Sequence, residues 1–205
     1  MNFGKWMYLF FATAGIGIAA SLVIGTGVFL VNPEIGVSKM GVQGIGYNLI
    51  NTAIVGALLG VFSHMGFFAY LTVNYFAQGI FRNKLLWSYV QVFLIAAVTF
   101  YSVVLRVPEG GSAAPFLALP FVVLLCAIPV TWRKVKQTNR SSLIPTLFFM
   151  TAVTLLEAVP ALRQTNAYAT ALMVGPLFLC NAFQILQLHR VVTPAQAKQP
   201  ANGTS

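Results

Sequence analysis

The sequence predicts an all-α integral membrane protein, a six-transmembrane-helix bundle with both termini cytoplasmic, and three observations carry that expectation. The first is composition: 58% of the 205 residues are hydrophobic and 7% charged, where a soluble domain has about a quarter of its residues charged. Such a chain has too few polar groups to cover a water-facing surface, and no room for a separate soluble domain beside the bundle. The second is the spacing of the apolar runs, each at least close to the roughly 20 residues that span a hydrocarbon core about 30 Å thick. The third is charge placement. The net charge of +9 comes from cations scattered in short loops, without a basic stripe or a basic-and-aromatic surface element. The positive-inside rule accounts for them and nucleic-acid binding does not.

The first helix is expected over residues 7–31. Its apolar run continues well past a possible cleavage site at Ala19-Ala20, so it reads as a retained anchor and not a signal peptide. Thr13, Gly17, Ser21 and Gly25 recur at every fourth position, a small-residue face that lets a neighbouring helix approach closely. Residues 32–45 have the proline and glycine content of a loop; no strand precedes those glycines and no GK[ST] follows them, so they are not a phosphate-binding loop.

The second helix, over 47–77, organises the chain. Between Lys39 and Arg82 no side chain is charged, yet Asn48, Asn51, Ser63, His64 and Asn74 stand among glycines and aromatics. The run exceeds one bilayer thickness, so it tilts, bends or begins outside the hydrocarbon; a spanning part near 52–76 puts His64 close to the midplane. Gly56 and Gly60 form a GxxxG step. The third helix is expected over 85–105, after a basic turn with Arg82 and Lys84. The fourth, over 115–132, carries Pro115, Pro120 and Pro129 and is expected to kink. A basic loop follows with Arg133, Lys134, Lys136 and Arg140. The fifth helix, over 143–162, holds Glu157 and ends at Pro160; the sixth spans 167–188. Residues 1–192 form the single domain, and 193–205 read as a disordered cytoplasmic tail.

Assigning the loops of six helices to two sides places Lys5, Arg82, Lys84, Arg133, Lys134, Lys136, Arg140, Arg190 and Lys198 on one, and Lys39, Arg106 and Arg163 with Glu34 and Glu109 on the other. The cation-rich side is the cytoplasm. Trp6, Trp87 and Trp132, the only tryptophans, fall at cytoplasmic helix ends, where amphipathic rings settle at headgroup level. No inverted repeat marks a secondary transporter.

Few residues have the chemistry for a site. An ionisable group in hydrocarbon costs about 2.5–3.5 kcal/mol on insertion scales, so Glu157 and His64 need partners. Together they make a proton or ligand site on one reading. On the structural reading, which one carboxylate and one imidazole favour, Glu157 sits near the outer interface, hydrogen-bonded or protonated, and pins helices together. Asn181 and Gln184, three apart, share a face of the sixth helix, as Asn48 and Asn51 do on the second; interhelical hydrogen bonds of about 0.6 kcal/mol each are their expected use. Cys126 and Cys180 lie inside apolar runs without CxxC spacing and read as buried free thiols. GxSxG, HExxH, SxxK, CxxC and P-loop patterns are all missing, so no enzyme, cofactor site or metal site is expected.

The order of small, aromatic and amide residues in Ser63-His64-Met65-Gly66-Phe67-Phe68-Ala69-Tyr70-Leu71-Thr72-Val73-Asn74, then Gly79-Ile80-Phe81-Arg82, Leu86-Trp87 and Val90-Gln91, is not demanded by any bilayer. It resembles the KinB-signalling pathway activation proteins, the KbaA family of spore-forming Firmicutes, over nearly the whole chain except the tail. The segments Thr154-Leu155-Leu156-Glu157-Ala158-Val159-Pro160-Ala161-Leu162-Arg163 and Cys180-Asn181-Ala182-Phe183-Gln184 are similar to that family too. The resemblance implies a multi-pass protein of the cell membrane needed to activate the sensor histidine kinase KinB, which feeds the sporulation phosphorelay. It carries over no catalytic residue.

Two functions follow as expectations. One is a non-enzymatic activator that packs against a membrane sensor histidine kinase through Thr13, Gly17, Ser21 and Gly25 or through Gly56 and Gly60. The alternative is a small-solute carrier or ligand sensor that uses His64, Glu157 and Asn181 within the bundle.

Overall fold

The structure is a computed structural model that describes residues 3–31, 42–81, 83–105, 114–163 and 167–192. Among the described residues it is all helical. In order come α1 (Phe3–Val31), α2 (Val42–Ile80), α3 (Lys84–Val104), α4 (Ala114–Gln137), a 3-10 turn (Arg140–Ser142), α5 (Leu143–Phe148), a π turn (Phe149–Val153), α6 (Thr154–Glu157), α7 (Val159–Leu162) and α8 (Ala167–Val192). Five of these helices, α1 to α4 and α8, are long and apolar enough to cross a membrane. Large apolar side chains such as Phe11, Met65, Phe93, Leu125 and Leu179 point outward. The loops expected around Glu34 and Glu109 and the tail 193–205 lie outside the described residues.

Several elements differ from the sequence expectations. The 39 residues of α2 reach about 58 Å at 1.5 Å per residue, nearly twice the hydrocarbon thickness. Helix α4 runs on through Pro120 and Pro129 to Gln137, so Arg133, Lys134 and Lys136 stand on a helix and not in a loop. Lys136 places its ammonium 3.5 Å from the Trp132 ring centroid, a cation–π pair one turn apart that favours the extra turns. Lys134 is 4% exposed, turned into the protein where the sequence suggested a solvated loop cation. Trp87 is turned inward too, donating from Nε1 to Asn74 Oδ1 at 2.9 Å. Cys126 is exposed and Cys180 buried; burial fails for Cys126 because it sits on the outward side of α4.

The fifth apolar run is a bent path of short pieces in place of one regular helix. Thr154 turns its backbone N–H to the Phe149 carbonyl, five residues back, and its hydroxyl to the same oxygen at 3.4 Å. Two donors on one carbonyl hold the π turn. Pro160 has no N–H to return to Leu156, and the backbone relaxes at Ala158 (φ −80°, ψ 0°) before α7 begins.

The core gathers where α1, α2, α8 and this bent segment meet, around Leu9, Phe67, Phe149, Met150 and Ile185. A smaller apolar cluster around Leu155, Val174 and Leu177 continues it beside α4. At one end Lys5 Nζ donates to the Arg190 carbonyl at 3.1 Å, which brings the start of α1 to the end of α8.

Candidate functional site

The most concentrated chemistry lies between α2, α6 and α8. Asn181 and Gln184, one turn apart on α8, are fully buried, as are Ser63 of α2 and Thr154 of α6. Gln184 Nε2 donates to Ser63 Oγ at 2.6 Å, and Ser63 in turn donates to Asn181 Oδ1 at 2.6 Å. The two hydrogens of Asn181 Nδ2 go to Thr154 Oγ1 at 2.9 Å and Glu157 Oε2 at 2.7 Å. Every polar atom of Asn181 is therefore matched, and its amide orientation is fixed by its neighbours. Donors run in one sense along the chain, from Gln184 through Ser63 and Asn181 to the carboxylate, an arrangement in which each bond polarises the next.

The two oxygens of Glu157 differ. While Oε2 takes the Asn181 bond, Oε1 is buried without a hydrogen-bond partner, pressed against the backbone of Gly66, where a Cβ would collide with it. Gly66 thus makes the hollow that the carboxylate fills. At the other end of the chain Gln184 Oε1 is likewise buried and unpaired. His64 lies beside this network in an aromatic box. Its ring packs edge-on against Phe10 at 5.2 Å and Phe68 at 4.9 Å, with Phe67 tilted beyond at 6.4 Å. The imidazole is 6% exposed and its Nδ1 has no partner.

Against this geometry, a family model described as "KbaA: KinB-signalling pathway activation in sporulation" matches residues 14–191. The chain belongs to the KbaA family. A relative from Bacillus subtilis (strain 168), the KinB-signaling pathway activation protein, is 38% identical over 138 residues, covering 65% of this chain and 70% of that protein. No solved structure matches.

In this KbaA-family chain the residues singled out from sequence fall into three places. Glu157, Asn181 and Gln184 join one network, which Gln184 extends to His64's flank through Ser63. Glu157 and His64 are not bonded to each other: the carboxylate meets α2 at Gly66, two residues and about 200° round the helix from His64. Asn48 is half-buried and accepts from Thr52 Oγ1 at 3.3 Å within its own helix, while Asn51 is exposed, so that pair binds no other helix.

The small residues form the third group, and they pack against one another. Gly17 lies against the backbone of Gly56 and Gly60; Gly56 faces Gly17 and Ser21; Gly60 meets the Thr13 carbonyl and Ala14; Gly25 abuts Thr52. The two faces offered as kinase contacts are each other's partners within one chain, a close α1–α2 seam in which any Cβ on Gly17, Gly56 or Gly60 would strike backbone. Thr13 Oγ1 is bonded back to the Leu9 carbonyl at 2.7 Å, and Cys180 Sγ approaches the Thr13 carbonyl at 3.5 Å.

Sequence reasoning did not single out Gly66 or Thr154 as site residues. The i, i+3 spacing of Thr154 and Glu157 was a usable signal; Gly66 gave none, because nothing in a helix's own sequence says which neighbour fills the space a glycine leaves. Gln91, fully buried on α3 with both amide ends unpaired, was also passed over.

Proposed function

We propose that this protein is a six-crossing protein of the cell membrane, both termini cytoplasmic, that activates a KinB-like sensor histidine kinase at the head of the sporulation phosphorelay without catalysing a reaction itself. Membership of the KbaA family is the observation that carries this reading, and the name of the Bacillus subtilis relative supports it. The mode of action is contact between helices. With the α1–α2 seam filled internally, the surface left for a kinase is the outward side of the bundle. Helix α3 is a natural part of it: Trp87, Gln91 and Ser102 are its buried residues, and Tyr89, Phe93 and Phe100 stand about seven-tenths exposed. Packing of a partner helix on one of two conformations of the bundle would bias the kinase's own equilibrium.

The test is site-specific photocrosslinking in sporulating cells with the crosslinker at Tyr89, Phe93 or Phe100, and at buried Leu155 as control. Kinase adducts at one or more outward positions and none at Leu155 are expected. Normal sporulation with no adduct from any outward position would mean that activation is indirect.

A second reading, a small-solute sensor or carrier, is favoured by one observation. Glu157 Oε1 is buried with no hydrogen-bond partner, His64 stands close enough to the Gln184 side chain to interact with it, and a buried polar group left unpaired is costly unless something uses it. This reading requires that Glu157→Gln abolish a solute- or pH-dependent response in proteoliposomes; a flat response in the wild-type protein removes it.

A further inference from the structure

A second polar region lies far along α2 from the buried network, and it has the opposite character: open, cationic and half apolar. Where α2 ends, α3 begins and the 3-10 turn leads into α5, the four elements line an open cavity of about 670 Å³. Lys84 and Arg140 reach it from different elements, and among the described residues no carboxylate lines it. The whole chain has three acidic residues, at positions 34, 109 and 157, so neither cation has an acidic neighbour in sequence to neutralise it.

Of the neutral groups around the cavity, the hydroxyls of Ser88 and Ser141 are spent on the Lys84 carbonyl and on Asn139 Oδ1, and the amides are left to donate. Asn74 spends its Oδ1 on Trp87 Nε1, which leaves its NH₂ as the free end. Gln78 adds a second exposed amide. The opening turn of α3, from Lys84 to Ser88, forms part of the wall, so the positive end of a 21-residue helix adds to the two side-chain charges. The rest of the lining is apolar. Phe81 stacks on Trp87 at 5.7 Å, and Leu143 and Pro145 continue that wall. A site for a bare inorganic ion has no use for such a ledge, and 670 Å³ falls in the range of about 300–1,000 Å³ typical of sites for whole small molecules.

We propose that this cavity binds a phosphate ester anion, with Lys84, Arg140 and the Asn74 amide on the phosphate and the Phe81–Trp87 ledge against the carbons attached to it. The headgroup of an anionic phospholipid and a free glycerol phosphate ester share that chemistry. Basic pockets at the cytoplasmic ends of membrane helices take the former. The assignment is independent of which kinase, if any, the bundle touches.

The experiment is native mass spectrometry of the full-length protein released from phosphatidylcholine nanodiscs and titrated with phosphatidylglycerol, repeated with competing glycerol phosphate. The Lys84→Gln/Arg140→Gln variant should bind phosphatidylglycerol about thirtyfold more weakly, which corresponds to about 1 kcal/mol for each cation. Each single variant should lose about fivefold, which keeps the test available should the double variant unfold. An Arg133→Gln/Lys136→Gln variant removes the same net charge from exposed positions on α4 and should bind within about twofold of wild type. Failure of glycerol phosphate to compete identifies the lipid as the ligand; full competition identifies a soluble ester in the same site. Undiminished phosphatidylglycerol binding by the folded Lys84→Gln/Arg140→Gln variant, or an equal loss in the α4 control, would overturn the site.

Discussion

Glu157 has one bonded oxygen and one sealed oxygen, and this asymmetry makes its role separable by substitution. Glutamine keeps an acceptor for the Asn181 N–H and places its NH₂ where Oε1 lay against Gly66. Glu157→Gln should therefore unfold in detergent within about 1 kcal/mol of wild type and sustain sporulation. Glu157→Leu leaves one hydrogen of Asn181 unpaired and should cost about 1–3 kcal/mol. A reversal, with Glu157→Gln inactive but fully stable, would show that the ionisable group itself matters. Gly66 supplies a companion test. In the wild-type background an alanine Cβ displaces the carboxylate from Asn181, and that loss outweighs the gain of up to about 1 kcal/mol from replacing a mid-helix glycine. Once Glu157→Ala has emptied the hollow, Gly66→Ala should become neutral or stabilising. A double-mutant cycle measured by thermal unfolding reads the change of sign.

The residue level also marks how far the sequence was legible. Glu157 and His64 stood out because each is an ionisable type inside an uncharged run, and Asn181 and Gln184 because their spacing puts them on one side of α8. Their partners did not stand out. Thr154 and Ser63 are ordinary residues of apolar helices, distinguished by the neighbours they meet 27 and 118 positions away. Lys134 carries the converse lesson: a cation among cations looks solvated, and its burial depends on α4 continuing three residues beyond it, to Gln137.

At the level of helices, the small-residue spacings on α1 and α2 indicate close approach to something, and the sequence could not say whether that something belonged to this chain. Gly17 and Gly56 are each within a Cβ's reach of the other's carbonyl, so the seam has no slack for a side chain. Gly56→Leu should accordingly behave as a folding lesion, lowering the midpoint of unfolding and the yield in membranes, and should not remove kinase contact selectively. Wild-type yield and stability together with lost kinase crosslinking would return the seam to the partner. The bent segment between α4 and α8 hid for a related reason. Periodicity and apolarity describe 143–162 as one helix, but the π turn depends on Thr154 giving both its donors to one carbonyl, and hydropathy does not record that choice.

The whole molecule poses the question of crossing number. Five helices pass by length and apolarity, and five crossings would leave the termini on opposite sides. Yet Lys5 meets the Arg190 carbonyl, which joins the first turn of α1 to the last turn of α8, and this is the contact that supports the proposed even number of passes. The segment able to supply the sixth pass is 143–162, whose consecutive helical pieces would reach at most about 30 Å if straight at 1.5 Å per residue, one hydrocarbon thickness, and less along their bent path. Its two ends agree with a traverse: Tyr70, late in α2, donates to the Pro145 carbonyl at 3.3 Å, whereas Thr170, at the start of α8, donates to the Ala161 carbonyl at 3.3 Å. On the proposed topology the positive-inside rule puts Arg133, Lys134, Lys136 and Arg140, which precede that pass, and Arg190, which ends the next, on the cytoplasmic side. With Cys126 and Cys180 replaced by alanine, a cysteine at Ser141 should resist a membrane-impermeant maleimide in intact cells and react once they are opened, and a cysteine at Arg163 should react in both. Labelling of Ser141→Cys from outside would invert the orientation, and labelling of both positions from the same side would reduce 143–162 to a re-entrant segment and force a new account of how α1 and α8 come to share an end.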